Sequence, residues 1–528
     1  MKKRIMAICM SLVMSVSTFA WGCSNDSTGV TDDEKLTAAE GSGSNDSNLE
    51  DNNSKDNNSV TRITVSEDFK ITDEDRKLYD SLFNINSEVR ISIDIPKEEL
   101  AKIQKDYEHY DSFHSKSPIY RMCTLTIEIN GEKHVIEEVG IRMKGNTSRR
   151  PFYDIGSDTI YNMIHFKLSF TETFDDEEYY GKDAKVWTDE KAKKERKNRT
   201  FASLEGLELK WNRDLDSTYI RDTYAYKMYR DFGVLAPNNT LGVLDLNGLN
   251  LGVYKVHEPV DKIFLARYFD EEDLGGDLYK CAWAGNNNAD YTRVTGLAGV
   301  EDEDNGKFYV YDLKTNKKTS THESLKNFVS VMKTPGNGKE AIEKVLDIDN
   351  WLRFLAVSYF LGMPDDLRNN YNNHYVYFKG STGQAVFIAY DCEICLGVNS
   401  WNPTGNYLTE SNPYSGWSYG ANKEQSNPLI KRIVSKGGLY TNEYREILDK
   451  VVNSKWINYN TYEVMYGALA AKYEDDTKID INIHDFDERK FSMSLEETYK
   501  GESINYNMTL DQYFTRMREN YYAHRDIQ

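Results

Sequence analysis

The residues of this chain best suited to chemistry are carboxylates and amides that follow one another between positions 364 and 373. An apolar helical pattern over residues 351–361 ends in a loop with two adjacent carboxylates, Asp365 and Asp366. Asparagines follow at once, among them Asn370, Asn372 and Asn373. Carboxylate and amide oxygens are the ligands that Mg²⁺ prefers, and a carboxylate can also orient a hydroxyl group. The loop therefore combines residue types for holding a cation with residue types for activating an acceptor.

A predicted hairpin after this loop supplies a third carboxylate. Strands are predicted at His374–Phe378 and Ala385–Ala389, and Asp391 stands at the end of the second strand. Helix, Asp/Asn loop, hairpin and Asp is the order in which a protein kinase arranges its catalytic loop and metal-binding Asp. Each piece alone also has an ordinary interpretation, since Asp and Asn dominate turns. The order of the pieces is what favours phosphoryl transfer.

Composition limits the alternatives. A chain of 528 residues can bury a sizeable core and fits one bilobal domain or two domains. A net charge of −20 argues against a nucleic-acid partner, because such proteins bind phosphates with an excess of Lys and Arg. An aromatic content of 12% is typical of a packed globular body rather than a disordered chain.

The first 23 residues have the pattern of an export signal. A basic start is followed by an apolar run over residues 5–20 and then by Gly22-Cys23. This end resembles a bacterial lipoprotein signal, in which Cys23 becomes lipidated, although the two residues before Gly22 depart from the usual pattern. Simple secretion is the alternative. Residues 24–60, rich in Asp, Asn and Ser, are predicted to be a flexible linker. We expect an exported protein, lipid-anchored to the outer face of a bacterial membrane, with no membrane-spanning run afterwards.

The order of predicted elements favours an α+β fold. One domain is expected over residues 61–528, with a β-rich N-lobe at about 85–215 and a helical C-lobe at about 216–528. The N-lobe prediction rests on a strand at Val89–Ile95, a hairpin around Asn130-Gly131 and a strand at Met163–Phe170. In the C-lobe, paired strands are predicted around Asn247-Gly248. This is the element order of a bilobal kinase.

Four segments resemble the CotH family of atypical, secretory-type protein kinases, named for a spore-coat protein. They are Ile-Arg-Met-Lys-Gly-Asn-Thr-Ser at 141–148, Gly-Val-Tyr-Lys-Val-His-Glu at 252–258, Asn-Asn-His-Tyr-Val-Tyr at 372–377 and the segment 388–397. The resemblance covers roughly residues 85–440, with the four segments in matching order. The resemblance implies an atypical, kinase-like bilobal fold and Mg²⁺- or Mn²⁺-dependent transfer of the γ-phosphoryl group of ATP to Ser in a protein substrate.

The resemblance also implies roles around the loop. Asp391 looks like the metal-binding Asp of the family, and Glu393 stands where many relatives have a second acid. Asp365 or Asp366 looks like the carboxylate that orients the substrate hydroxyl, with Asp366 slightly favoured. Two nearby asparagines, Asn370 and Asn373, complete the predicted metal ligands.

A glycine-bearing turn at residues 142–148 is predicted to bind the nucleotide, together with Lys167 and Glu258. The turn offers two cations and backbone amides that suit phosphate oxygens, or it is a plain surface turn. Lys167 is the candidate for pairing the α- and β-phosphates, and an exposed strand lysine is the alternative. Glu258 is expected at the nucleotide hinge or at the start of a helix. The residues of the turn assigned to ATP are Arg142, Lys144, Asn146 and Ser148.

Two rival functions remain open at this point. The first is a pseudokinase or surface scaffold, against which the retained carboxylates argue, since they repel one another unless a cation joins them. The second is a carbohydrate-associated surface protein, suggested by Trp401, Trp417 and Tyr419. For a kinase we expect a Ser-rich protein substrate, and serines in the linker make autophosphorylation there a hypothesis. Cys392 and Cys395 are expected to be buried thiols, because no second cysteine pair exists for zinc.

Overall fold

The computed structural model describes eleven stretches of the chain: residues 71–112, 116–145, 148–212, 216–282, 288–294, 309–397, 407–418, 423–425, 428–477, 493 and 509–526. All of them fall within one compact unit, Ser59–Gln528. The predicted signal with Cys23, the linker, Asn146, Trp401 and Tyr419 lie outside the described residues, as does the side chain of Trp417. No helix in the described part of the chain has the length and apolar composition that a bilayer crossing requires.

The strands lie mainly between residues 89 and 281, with further short strands after residue 311. They are β1 (Val89–Asp94), β2 (Arg121–Ile129), β3 (Glu132–Lys144), β4 (Tyr153–Asp154), β5 (Thr159–Ile160), β6 (His165–Ser169), β7 (Gly206–Trp211), β8 (Asn239–Leu246), β9 (Leu249–His257), β10 (Leu278–Cys281), β11 (Tyr311–Leu313), β12 (His374–Phe378), β13 (Ala385–Ala389), β14 (Gly416–Ser418) and β15 (Lys423–Gln425).

The helices dominate the second half of the chain. They are α1 (Asp73–Leu82), α2 (Lys97–Asp111), α3 (Glu177–Tyr180), α4 (Glu190–Lys197), α5 (Arg221–Asp231), α6 (Lys262–Tyr268), α7 (Glu323–Lys333), α8 (Lys339–Glu343), α9 (Ile348–Leu361), α10 (Tyr407–Glu410), α11 (Pro428–Ile433), α12 (Thr441–Val452), α13 (Tyr459–Thr477) and α14 (Leu510–His524).

Seven strands close into a barrel in the order β1-β2-β3-β6-β7-β9-β8. Neighbours are antiparallel except for β1 and β8, whose parallel pairing completes the ring. The strands alternate apolar and polar residues, as in Leu207, Leu209 and Trp211 of β7, so that one face of each strand fills the barrel interior. Charged residues of the same strands are consequently directed to the outside of the barrel.

A second sheet, in the order β11-β10-β12-β13, holds the helical part of the molecule together. One face of this sheet packs with α5, α7 and α9 in the main core, through residues such as Tyr279, Val376 and Phe387. The alternate residues, including Tyr375 and Tyr390, belong to a smaller cluster with α6. Because side chains alternate along a strand, this sheet separates the helical core from a second, more polar surface.

The α+β prediction is confirmed, and most predicted elements are present. The hairpin at Asn130-Gly131, the pair around Asn247-Gly248 and the strands β12 and β13 lie where the patterns indicated. The boundary near residue 215 was wrong as a limit of the β-rich part, since β8 and β9 complete the barrel. Seven strands were not predicted: β4, β5, β7, β10, β11, β14 and β15. The helix expected from Glu258 begins instead at Lys262, after the capping residue Asp261.

Candidate active site

The acidic loop after α9 gathers its asparagines around one carboxylate. Asp365 accepts hydrogen bonds from the side-chain amides of Asn370 (2.6 Å), Asn372 (3.1 Å) and Asn373 (3.0 Å). Burial raises the pKa of Asp365 to about 7, although these amides oppose the rise and Asp391 adds to it. A carboxylate with a pKa near neutrality is suited to accept a proton at physiological pH.

Asp366 has a different environment within the same loop. Its carboxylate accepts the hydroxyl of Ser358 and the backbone N–H groups of Arg368 (3.0 Å) and Asn369 (3.1 Å). The side chain is 1% exposed, and burial raises its pKa to about 6. Both oxygens of Asp366 are thus engaged in holding the loop against α9, whereas Asp365 faces the asparagines.

The backbone of the site is strained at three positions. Tyr371, Asn373 and Asp391 all have positive φ angles, of 57°, 47° and 57°, in the left-handed region that L-residues with side chains rarely adopt. Such conformations cost about 1 to 3 kcal/mol each and persist where the surroundings demand them. Here they bend the chain before β12 and after β13, and so direct the loop and Asp391 into one region.

Helix α9 is tied to β13, the strand that delivers Asp391. The helix begins after Asp347, which accepts the N–H of Asn350 (3.1 Å), and ends at Gly362 in the left-handed conformation. The buried amide of Asn350 then donates to the carbonyl of Phe387 (3.1 Å) and accepts its N–H (2.8 Å). This reciprocal pair sets the position of β13 relative to the loop at the other end of α9.

Asp391 is bound to a lysine of the barrel. Its Oδ1 lies 2.5 Å from Nζ of Lys210 on β7, a lysine whose side chain is 3% exposed. The backbone N–H of Asp391 also donates to the hydroxyl of Tyr226 on α5 (2.8 Å). Burial acts to raise the pKa of Asp391, but Lys210, Lys144 and Lys280 outweigh it and hold the pKa well below the usual range. The carboxylate is therefore ionised and connects the barrel, α5 and the second sheet.

Lys144, at the end of β3, reaches the same region. Its Nζ lies 3.0 Å from Oε2 of Glu208 on β7 and donates to the hydroxyl of Tyr390 (2.9 Å). The Tyr390 hydroxyl in turn donates to Glu208 (3.1 Å). Burial acts to raise the pKa of Glu208, yet the surrounding lysines, Lys144 first, hold it well below the usual range. The two carboxylates of this region, Asp391 and Glu208, are thus surrounded by a larger number of lysines.

A second buried ion pair lies behind Lys210. Lys255 on β9 is 3.5 Å from Oδ1 of Asp222 on α5, and His257 is 3.2 Å from Oδ2 of the same carboxylate. Burial acts to raise the pKa of Asp222, but Lys255 and His257 hold it well below the usual range. Asp222 thus joins α5 to the barrel through Lys255 and His257 of β9.

The remaining predicted phosphate-binding residues have different surroundings in the structure. Lys167 lies on β6 opposite Glu208 in register, and it contributes to the lowered pKa of that carboxylate. Arg142 instead donates to the carbonyl of Ser117 (2.8 Å) and lies over the ring of Tyr120 (5.0 Å). Ser148 is buried against Gly145. Lys144 and Lys167 thus lie with the cluster around Glu208, whereas the guanidinium of Arg142 contacts Ser117 and Tyr120.

Glu258 is part of a buried network at the end of β9. It accepts hydrogen bonds from the hydroxyl of Tyr79 (2.8 Å), the N–H of Asn238 (3.0 Å) and Nε of Arg267 (3.1 Å). Burial raises its pKa, although Arg267 opposes the rise. Its carboxylate oxygens are committed to joining α1, α6 and the segment before β8, and the side chain is 0% exposed.

The segment after Asp391 carries Glu393 and the two cysteines. Glu393 is close enough to help raise the pKa values of Lys210 and Lys255. Cys392 and Cys395 are buried free thiols, as predicted.

Sequence reasoning missed β7, and with it Glu208 and Lys210. The signal was present, because Leu207-Glu-Leu-Lys-Trp211 alternates apolar and charged residues as a half-buried strand does. Lys280 was missed for a comparable reason, since β10 has only four residues and lacks a long pattern.

The residues present fit a divalent cation and a polyphosphate. No set of three or more His, Cys, Asp or Glu side chains in the described residues converges closely enough to hold a metal ion alone. However, Asn370 and Asn373 direct their side-chain NH₂ groups to Asp365, which leaves their side-chain carbonyl oxygens without a partner among the described residues. The second oxygen of Asp391 is similarly without a described partner. Oxygen donors beside several lysines match the needs of Mg²⁺ bound with phosphates.

The α+β fold carries a cluster of buried carboxylates and lysines, and comparison with known proteins identifies the family. The chain belongs to the CotH kinase protein family, whose model matches residues 160–502. Among individual proteins, it is 24% identical over 266 residues to the inner spore coat protein H of Bacillus subtilis (strain 168). That match covers 49% of this chain and 64% of the relative, so the chain spans less than two thirds of its length. The segment 141–148 lies before the family match, and the other three resembling segments lie within it.

Proposed function

We propose that this protein is a kinase that transfers the γ-phosphoryl group of ATP to Ser hydroxyls of a protein substrate. The observation that carries the proposal is the ion pair between Lys210 and Asp391, at 2.5 Å, beside the loop carboxylate Asp365. A barrel lysine, a strand-end Asp and a loop carboxylate are the three functional groups that kinase-type phosphoryl transfer uses. Family membership supports the same class of reaction.

In the proposed reaction, the oxygen of the substrate Ser hydroxyl forms a bond to the γ-phosphorus. Asp365 accepts the proton of that hydroxyl as the bond forms. The bond from the γ-phosphorus to the β–γ bridging oxygen breaks, and ADP leaves with that electron pair. Lys210 and Lys144 bind and orient the phosphate oxygens, with Glu208 holding Lys144 in place. Asp222, which is paired with Lys255, adds a negative charge that attracts Lys210.

A divalent cation would be held by Asp391, with amide oxygens of Asn373 and Asn370, and Glu393 nearby. Mg²⁺ or Mn²⁺ bound there would neutralise charge on the phosphates. We assign proton acceptance to Asp365 rather than to Asp366, which the sequence pattern had slightly favoured. The reason is that both oxygens of Asp366 accept hydrogen bonds from the loop itself and from Ser358.

The wider setting is proposed on the same terms. We propose that the barrel acts as the nucleotide-covering lobe and the helical body as the lobe that bears the loop, in a kinase-like bilobal arrangement. Export, a lipid anchor at Cys23 and a Ser-rich protein substrate remain proposals from the sequence. The name of the Bacillus relative, a spore coat protein, supports a location outside the cytoplasm. Labelling with a fatty-acid analogue, lost in Cys23→Ser, would test the anchor.

The kinase proposal is tested by incubating the purified chain with labelled ATP, Mg²⁺ or Mn²⁺ and a Ser-rich acceptor protein. Asp391→Ala and Lys210→Met are compared with Lys344→Met, which changes an exposed lysine paired with Glu340 on its own helix. We expect label transfer that Lys344→Met retains and the other two variants lose. Absence of both label transfer and nucleotide binding in the unaltered protein would instead favour a scaffold with a kinase-like fold.

A further inference from the structure

Lys280 is a cation on the polar side of the second sheet that no role yet described accounts for. It lies on β10, whose neighbouring residues Tyr279 and Cys281 are completely buried in the main core. Alternation along the strand directs Lys280 to the opposite face, toward the barrel residues of the site. Its ammonium group lies 4.5 Å from the centre of the Tyr390 ring.

Two lysines from the barrel approach the same ring. The ammonium groups of Lys210 and Lys144 lie 5.0 Å and 5.6 Å from its centre. Three positive charges thus surround one aromatic side chain, and they come from two different sheets. Attraction to a ring face is weak for each cation, so the ring by itself does not offset the mutual repulsion of three desolvated ammonium groups.

Lys280 also differs from the other two in having no direct ion pair, although Glu208 and Asp391 are close enough to act on its charge. Lys210 is paired with Asp391 and Lys144 with Glu208, whereas no ion pair or hydrogen bond joins Lys280 to any residue that the structure describes. Its neighbour across the strand pair is Asp312, but that carboxylate lies 2.5 Å from Lys314. Burial, Lys144 and Lys116 lower the pKa of Lys280 well below the usual value, although Glu208 and Asp391 oppose the shift. A half-buried cation in such surroundings is stabilised when an anion joins it.

We propose that Lys280 is a phosphate-binding residue that contacts the nucleotide's phosphate chain from the second sheet, opposite the barrel lysines. The proposal rests on the proposed kinase function and deepens it. Lys144 and Lys210 bind the phosphates from the side of the barrel, and Lys280 binds them from the side of the second sheet. Lys280 thereby favours ligands with two or three phosphates over the nucleoside and holds the chain between the two sheets.

The test is the affinity of the complete chain for a non-hydrolysable ATP analogue, for ADP and for adenosine, measured by titration calorimetry with Mg²⁺ present. We expect Lys280→Met to weaken binding of the ATP analogue and of ADP at least tenfold and to leave adenosine affinity unchanged. Lys280→Arg keeps the charge and is expected to bind the analogue within about threefold of the unaltered protein. Lys344→Met is the control for loss of a lysine elsewhere, and it should leave all three affinities unchanged.

The outcomes separate this proposal from the kinase proposal. If the unaltered protein binds the ATP analogue and Lys280→Met binds it equally well, Lys280 has no phosphate role and the kinase proposal stands. If the unaltered protein binds no nucleotide, the kinase proposal fails and this one with it. Thermal unfolding controls for folding: because Lys280 is desolvated and makes no direct ion pair with a described residue, Lys280→Met should unfold at the same temperature or higher. Should that variant nevertheless fail to fold, Lys280→Gln is measured in its place, and unchanged affinity again overturns the proposal.

Discussion

At the scale of single residues, the two adjacent carboxylates of the loop have separate tasks. Asp365 is held by three side-chain amides, and Asp366 by two backbone N–H groups and a hydroxyl. Neighbours in sequence thus differ because consecutive side chains of a turn point in different directions. The pattern Asp-Asp identifies the pair, and only the contacts distinguish its members.

The first prediction compares those two residues. Asp365→Asn should lower kcat by about 10²- to 10⁴-fold, because it removes a proton acceptor, while leaving the fold intact. Asp366→Ala should lower the free energy of unfolding by about 2 to 4 kcal/mol, since Ser358 and two buried N–H groups lose their acceptor. Label transfer and urea unfolding of both variants measure these effects. Equal loss of stability in the two variants would contradict the division of tasks.

The second prediction concerns pH. The pKa of Asp365 is raised to about 7 in the folded protein, above the value of 3.8 expected when unfolded. Between these values the folded state binds more protons, so the contribution of Asp365 to stability is present below about pH 4 and is lost as pH rises through 7. Asp365→Asn removes the group that ionises, so the variant does not lose this stability as pH rises. We expect the variant to match the unaltered protein near pH 4 and to exceed it by up to about 4 kcal/mol at pH 8.

Urea unfolding in EDTA at several pH values measures this difference. The linkage would be wrong if the stability difference between the two proteins were independent of pH.

At the scale of elements, the site depends on α9 and β13 keeping a constant relative position. Asn350 does this with one amide, by donating to and accepting from the backbone of Phe387. The loop at one end of α9 and Asp391 at one end of β13 then meet. The Asn350 side chain thus makes the two backbone hydrogen bonds to Phe387 that a neighbouring strand would otherwise make.

The third prediction removes that amide. Asn350→Ala leaves a buried N–H and a buried carbonyl of Phe387 unpaired, which should cost about 2 to 4 kcal/mol of unfolding free energy. Label transfer should fall as well, because Asp391 is no longer held in place. The matched control is Asn453→Ala, which removes an exposed asparagine that bonds to the carbonyl of Asp449. Thermal unfolding and activity of the two variants give the comparison, and equal effects would refute the positioning role.

At the scale of the whole molecule, the barrel and the helical body are joined by α13. The hydroxyl of Tyr473 accepts the N–H of Val89 at the start of β1 (2.8 Å), and Lys472 donates to the carbonyl of Ile85. Tyr462 on the same helix is hydrogen-bonded to Thr218, before α5. A helix near the C-terminal end of the chain therefore contacts its first strand, and the two parts should unfold together.

The fourth prediction tests this connection. Tyr473→Phe should lower the free energy of unfolding by about 1 to 3 kcal/mol, because the buried N–H of Val89 loses its acceptor. Tyr522→Phe, which alters an exposed hydroxyl bonded to Asn453, should change it by less than about 0.5 kcal/mol. Far-UV circular dichroism and tryptophan fluorescence should report one common transition in both variants. Separate transitions in the unaltered protein would show that the two parts are independent.

The sequence by itself determined the features that depend on neighbours along the chain. Asn-Gly turns define two hairpins, the alternating and apolar runs define most strands and α9, and the order of loop, hairpin and Asp391 indicates the class of site. These signals are local, because a turn type or a periodicity is completed within a few residues. Four short segments indicated the family, and a family model that matches residues 160–502 shows it.

The tertiary structure alone decided which distant residues share the site. Lys210, Lys144 and Lys280 come from β7, β3 and β10, and they meet at Tyr390 only because two sheets pack against each other. Closure of the barrel by the parallel pairing of β1 with β8 is likewise a contact between segments about 150 residues apart. Such pairings depend on burial and register summed over the whole fold, and a single sequence carries no separate local signal for them.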